Sequence, residues 1–157
     1  MHALVTGGTR GIGYEFVKKL VQLQIPTVFT GRHEKDIQTI ENSFSPYQHV
    51  EGLPLDLSKK TSVDRFLKEL HYRDIHPNII IHNAGYLSTK PVETHDHLER
   101  LFHVNTISPI YITQQLLPVI KQYDSGHILF FSPPYSIDRK VDLLMPYMQS
   151  KIGRAHV

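Results

Sequence analysis

The sequence contains no cysteine. A disulfide scaffold, a thiolate metal site and a cysteine nucleophile are therefore excluded. It also has no apolar run approaching the roughly 20 residues of a membrane-spanning helix, so no membrane partner is expected. The first apolar run begins at His2, which leaves no room for a signal peptide and points to a soluble, cytoplasmic chain. Excess charge is nearly absent: 17 Lys and Arg against 15 Asp and Glu give a net +2. The basic residues are scattered, which argues against a nucleic-acid partner. Histidine is abundant, at 11 residues, but His33, His49, His71, His76 and His103 fall in no ligand spacing. His95 and His97 would lie on different faces of a helix, so no metal site is expected.

What is present is a chain of 157 residues, 40% hydrophobic and 20% charged. That length suits one compact domain. Short apolar runs alternate with amphipathic stretches along it. His2–Thr6 reads as a first strand, and Ile12, Phe16, Val17, Leu20 and Val21 recur at helical spacing over Gly11–Gln22. Pro26–Thr30 reads as a second strand and His33–Phe44 as a second helix. His49–Leu55 is a weaker third strand, and Ser58 can cap a third helix over Val63, Phe66, Leu67 and Leu70. Asn78–His82 is a continuously apolar fourth strand of the kind buried in a parallel sheet. A long helix spans about His95 to Gln122, with Pro109 expected to mark a kink or a strongly bent turn, since it removes a backbone donor. His127–Phe131 is a fifth strand, and Pro146 is placed to open a further helix. This alternation predicts an α/β fold: a doubly wound, Rossmann-like parallel sheet of five strands with helices on both faces.

Thr6-Gly7-Gly8-Thr9-Arg10-Gly11-Ile12-Gly13 joins the first strand to the first helix. In that place each glycine has a physical role. Gly7 permits the tight exit from the strand, Gly11 lets the backbone approach a pyrophosphate, and Gly13 lets the helix pack closely on the sheet. The helix N-terminus, here Gly11, Ile12 and Gly13, then offers N–H groups to phosphate.

This turn resembles the TGxxxGxG motif of the short-chain dehydrogenase/reductase family. Four further stretches follow in that family's order. Asp56-Leu57 is similar to its adenine-contacting pair, and Asn83-Ala84-Gly85 to its NAG motif. Asn105 in HVNTISP resembles the Asn of its long helix, and Tyr147-Met148-Gln149-Ser150-Lys151 its YxxxK. The resemblance covers residues 2 to about 151. It implies a cofactor site built from Gly7, Thr9, Arg10, Gly11, Ile12, Gly13, Arg32, Asp56, Leu57, Asn83, Ala84, Gly85, Tyr147 and Lys151. It also implies catalysis by Tyr147, Lys151, Asn105 and Ser132 on a small carbonyl or alcohol substrate, and a full-length form that is a homo-oligomer.

Charge bears on the choice of cofactor. A fold that takes NAD usually places an acid at the end of the second strand, about 20 residues past the glycine turn, to bind the ribose 2′-hydroxyl. Gly31 stands there, followed by Arg32, with Arg10 inside the turn. Two guanidiniums and no carboxylate suit a 2′-phosphate, so NADP is expected over NAD. The competing reading makes both surface arginines, with Glu34 giving some ribose contact.

Carbonyl reduction needs a proton donor for the new hydroxyl. A free tyrosine has a pKa near 10, and Lys151, one helical turn from Tyr147, would stabilise its phenolate. The family resemblance gives Lys151 the nicotinamide ribose as well, and Asn105 a water in the proton relay. The family's catalytic serine follows the fifth strand, where this chain reads Phe131-Ser132-Pro133-Pro134-Tyr135-Ser136. Strict alignment puts Pro133 in its place; Ser132 or Ser136 substitutes if the loop shifts. A subset of the family resembling hydroxysteroid-dehydrogenase-like proteins carries Ser-Pro-Pro here. Two functions thus stay open: an oxidoreductase, or a nucleotide-binding module without catalysis.

The closing residues 152–157, IGRAHV, can be encoded by ATCGGAAGAGCACACGTC, which matches a common sequencing adaptor read in one frame. They are expected to be a non-native tail on an incomplete domain of residues 1–151, with little activity in the isolated chain.

Overall fold

The computed structural model describes residues 1–45, 49–87, 94–131 and 150–151. Its strands are β1 (Ala3–Thr6), β2 (Thr27–Gly31), β3 (Val50–Pro54), β4 (Ile79–His82) and β5 (His127–Phe130). They form one parallel sheet in the order β3-β2-β1-β4-β5. The chain runs outward from β1 to β3, then returns to the other side of β1 for β4. The crevice between β1 and β4 is therefore the switch point at which doubly wound sheets bind ligands.

Period-two alternation divides the sheet's side chains between two cores. Leu4, Val28, Leu53 and Ile80 pack in one, with Val63, Phe66 and Leu70 of α3 (Lys60–Tyr72) and Ile112, Leu116 and Ile120 of α5 (Ser108–Ile120). Ala3, Val5, Phe29 and Ile81 pack in the other, with Val17, Leu20 and Val21 of α1 (Gly11–Gln22) and Ile37 of α2 (Glu34–Ser43). Each such fully buried side chain contributes about 1.5–3 kcal/mol. This burial explains why α1 and α3 hold their places although neither has a side-chain N-cap.

Two expectations are corrected. Ser58 does not cap α3: the helix starts at Lys60 with Lys59 at the cap position, because the Ser58 hydroxyl donates instead to Asp56 Oδ1 at 2.7 Å. The long helix is not a kinked rod. It comprises α4 (His95–Phe102), a π-helical turn over His103–Ile107, and α5. The irregularity thus precedes Pro109, which lies in the first turn of α5; the wider turn sits where the missing proline N–H would interrupt α-helical bonding. Pro118 also lies within α5, on its exposed side and near its end. The position expected for Pro146 lies outside the described residues.

Candidate active site

The glycine turn folds as its sequence implies. Gly7 and Gly11 have φ of +70° and +56°, a region where residues with a Cβ are strained. A Cβ on Gly13 would stand 2.1 Å from the Gly7 carbonyl oxygen and 2.4 Å from Asn83 Nδ2. Nothing lies within 4 Å of a Cβ built on Gly11, so the turn presents bare backbone to open space. No side chain caps α1, and its first turn holds no acid. The leading amides and the positive end of the helix dipole are thus available to an anion.

Asn83 fastens this turn to β4. Its Nδ2 donates to the carbonyls of Thr6 and Gly7 at 3.2 and 3.0 Å, while the Ala84 amide donates to Thr6 Oγ1 at 3.2 Å. On the other side, the Gly7 and Gly8 amides donate to Thr30 Oγ1 and Thr30 O. Thr30 was not singled out by sequence reasoning, since a threonine in a strand gives no signal of its own.

A cleft of about 830 Å³ opens over the switch point. Gly7, Thr9, Arg10, Gly11 and Ile12 line it from the turn; Gly31 and Arg32 line it from the end of β2; Asp56 and Leu57 follow β3; Asn83, Ala84 and Gly85 follow β4. Among the described residues, every predicted cofactor residue except Gly13 and Lys151 lines this one space. Gly13 lies just behind it, against Gly7. The ends of β1, β2, β3 and β4 meet here because parallel strands carry all their C-terminal loops to one edge.

Asp56 is held as an anion. Burial works to raise its pKa, but the hydroxyl and amide of Ser58, with the charges of Lys59 and Arg100, outweigh burial and leave the carboxyl below its ordinary value. Leu57 is 5% exposed, and its carbonyl accepts from Ser108 Oγ at 2.7 Å. A serine at the start of α5 thus fixes the β3–α3 loop, a link 51 residues long in sequence that no motif announces.

The far end of the cleft is organised by Asn105, buried in the π-helical turn. Its Oδ1 accepts from the Tyr86 amide, and its Nδ2 donates to the Tyr86 carbonyl, both at 2.8 Å. The same Nδ2 donates to Ser150 Oγ at 2.9 Å, and Thr106 Oγ1 donates to the Ser150 carbonyl. Lys151 is buried with its Nζ 3.2 Å from the Ala84 carbonyl oxygen. Asn105, Gly85 and Lys151 are therefore neighbours. Ser132 and Tyr147 lie outside the described residues. Of the four expected catalytic residues, Asn105 and Lys151 are brought together.

His95 and His97 have separate partners: His95 faces Glu99 at 3.6 Å, and the His97 ring nitrogen lies 3.1 Å from the Tyr86 hydroxyl. His95, Asp96 and Glu99 do bring ligand atoms within 4.8 Å of one another, all on exposed residues. Among the described residues, no helix is long and apolar enough to cross a membrane.

The short-chain dehydrogenase family model matches residues 1–157. The chain belongs to that family. Among curated relatives, polyprenol dehydrogenase of Danio rerio is 30% identical over 124 residues, which make up 76% of this chain and 38% of the fish protein. The Homo sapiens polyprenol dehydrogenase is 30% identical over 129 residues, 80% of this chain and 39% of the human one. The chain thus spans about two fifths of the length of these short-chain dehydrogenases. Among solved structures, a metagenomic short-chain oxidoreductase in complex with NADP superposes with a TM-score of 0.86 at 24% identity, over 98% of this chain and 70% of that one. The family's Rossmann-like sheet is therefore present, with five of its strands.

Bound in this cleft, a nicotinamide dinucleotide would be held by the residues just described. The bare backbone at Gly11 and the uncapped start of α1 fit its pyrophosphate. The acceptor-only Asp56 carboxylate fits a base bearing an amino group.

Proposed function

We propose that the chain carries the coenzyme half of an NADP(H)-dependent oxidoreductase that interconverts a carbonyl and a secondary alcohol. The observation that carries this reading is the meeting of Lys151, Ala84 and Asn105 beside the cleft. A buried ammonium in that place serves a reaction in which negative charge must be supported. The coenzyme supplies or accepts the hydride at the carbonyl carbon. Tyr147, four residues before Lys151, gives the oxygen its proton, and the Lys151 charge stabilises the phenolate left behind. Ser132 orients the carbonyl.

Arg10 and Arg32 line the cleft, Arg32 directly after Gly31, the last residue of β2, and this supports NADP over NAD. The substrate is a small carbonyl or alcohol compound, the protein acts in the cytoplasm, and its full-length form is a homo-oligomer.

The test combines coenzyme titration with a panel of ketones and aldehydes, using a gene that extends past codon 151. Tyr147→Phe keeps the ring and should abolish reduction, a loss on the order of a hundredfold or more, with NADPH binding nearly intact. Undiminished turnover in that variant would overturn the assignment of the proton donor. Pro133, standing where the family has serine, favours a second reading: a nucleotide-binding module without catalysis. NADPH binding without turnover of any substrate in the extended protein would select it.

A further inference from the structure

The cleft has a third arginine that none of the family's motifs supplies. Arg100 lies on α4 and lines the same cleft as Arg10 and Arg32. It is exposed and, among the described residues, forms no ion pair. Its guanidinium carbon sits 4.8 Å from the centre of the Tyr86 ring.

Tyr86 is unusually well fixed for a residue of a loop. Asn105 clamps its amide and its carbonyl, and His97 meets its hydroxyl. The ring is thus held from its backbone and its far end, and the guanidinium rests on a rigid support. A planar cation placed on an aromatic face keeps its second face free for another flat group. Asp56 lines the same cleft and feels the Arg100 charge; its carboxylate is acceptor-only, whereas a guanidinium is donor-only. Adenine offers an amino donor on its edge to the carboxylate and a flat π-face to the guanidinium, so one base can meet both partners.

We propose that Arg100, supported on Tyr86, is a coenzyme-binding residue that covers the adenine base with its guanidinium plane. The inference rests on the coenzyme role proposed above and deepens it. It gives the base a contact from α4, in addition to the contacts from the loops after β3 and β4.

The experiment is a calorimetric titration of the full chain and of Arg100→Met and Arg100→Lys with 2′,5′-ADP, at low and at high salt. Arg100→Met keeps the aliphatic stem and should bind about tenfold more weakly, with the same ratio to the parent at both salt levels. Arg100→Lys restores charge without the plane and should recover less than half of the loss. Because Arg100 is exposed, the variants should melt with the parent. Equal binding by Arg100→Met and the parent would overturn the proposal. So would a loss that vanishes at high salt, which marks a phosphate contact, or full recovery by lysine, which marks a bare charge. Failure of the parent chain to bind 2′,5′-ADP would remove the coenzyme reading itself. Binding by the parent that Arg100→Met leaves unchanged would remove only this inference.

Discussion

The Lys151 ammonium donates to the Ala84 carbonyl across 67 residues of sequence. This contact joins the end of the Tyr147–Lys151 motif to the loop that follows β4. It depends on the absence of a side chain at the next residue, since a Cβ on Gly85 would lie 2.7 Å from Lys151 Nζ and 3.1 Å from its Cε.

Gly85→Ala should therefore act on function more than on folding. The atoms it meets are the far end of a flexible side chain, which can withdraw, so the stability change should stay within about 1 kcal/mol. The displaced ammonium would no longer stand beside Asn105, and turnover in the extended protein should fall severalfold or more. Urea unfolding and steady-state kinetics together check this. A variant that unfolds easily would show that Gly85 is needed for packing alone.

Much of this arrangement can be read from the amino-acid sequence. The glycine turn was legible because Gly7, Gly11 and Gly13 sit between an apolar strand and a helix, and each meets a distinct steric demand. The two-core sheet was legible because buried parallel strands are short and continuously apolar. Ser58 was misread because a serine ahead of a helix looks like a cap, and only the folded chain shows that the Asp56 carboxylate competes for its hydroxyl. The break in the long helix was placed at Pro109 for a similar reason. Pro109 flags an irregularity in sequence, but not that it takes the form of a π-helical turn preceding the proline and holding Asn105 against Tyr86 and Ser150. The roles of Thr30, Ser108 and Arg100 are tertiary: each is an ordinary residue made useful by what is packed opposite it.

Arg32→Ala should weaken NADPH far more than NADH. A charge-assisted contact to a 2′-phosphate is worth roughly 1.5–3 kcal/mol, or about ten- to a hundredfold in affinity. Titration with both coenzymes measures it, and equal losses would remove Arg32 from the phosphate site.

Stability at acid pH should depend on Ser58. The Asp56 carboxyl has a lower pKa in the folded chain than its ordinary value of 3.8. A depressed carboxyl stabilises the fold fully above that ordinary value, and the contribution is lost as pH falls through it towards the folded pKa. Ser58→Ala removes the hydroxyl donor and brings the folded pKa back towards 3.8. The parent should therefore lose more stability than the variant as pH drops from about 5 into the acid range, with the two curves converging at the acid end. Urea midpoints measured across that range would show parallel curves if Ser58 has no hold on Asp56.

Reversing the coenzyme preference should need two substitutions rather than one. The simplest change installs the missing acid with Gly31→Asp, at the end of β2. A Cβ there would lie 2.6 Å from Thr9 Cγ2 and 3.0 Å from Ile37 Cγ1. The first of these belongs to the glycine turn and the second to the core beneath α2, so neither can move without disturbing the cleft or its support. Gly31→Asp alone should cost about 1–3 kcal/mol, the usual range for overpacking, and should weaken both coenzymes. Adding Thr9→Ala removes the nearer methyl group and leaves only a displacement of a few tenths of an ångström for Ile37. The double variant should recover much of the stability and favour NADH, since a carboxylate now faces the ribose hydroxyls and opposes a 2′-phosphate. Chemical unfolding and paired titrations of both coenzymes read the two effects separately. A single Gly31→Asp variant as stable as the parent, with tighter NADH binding, would show that the Thr9 contact does not govern this position.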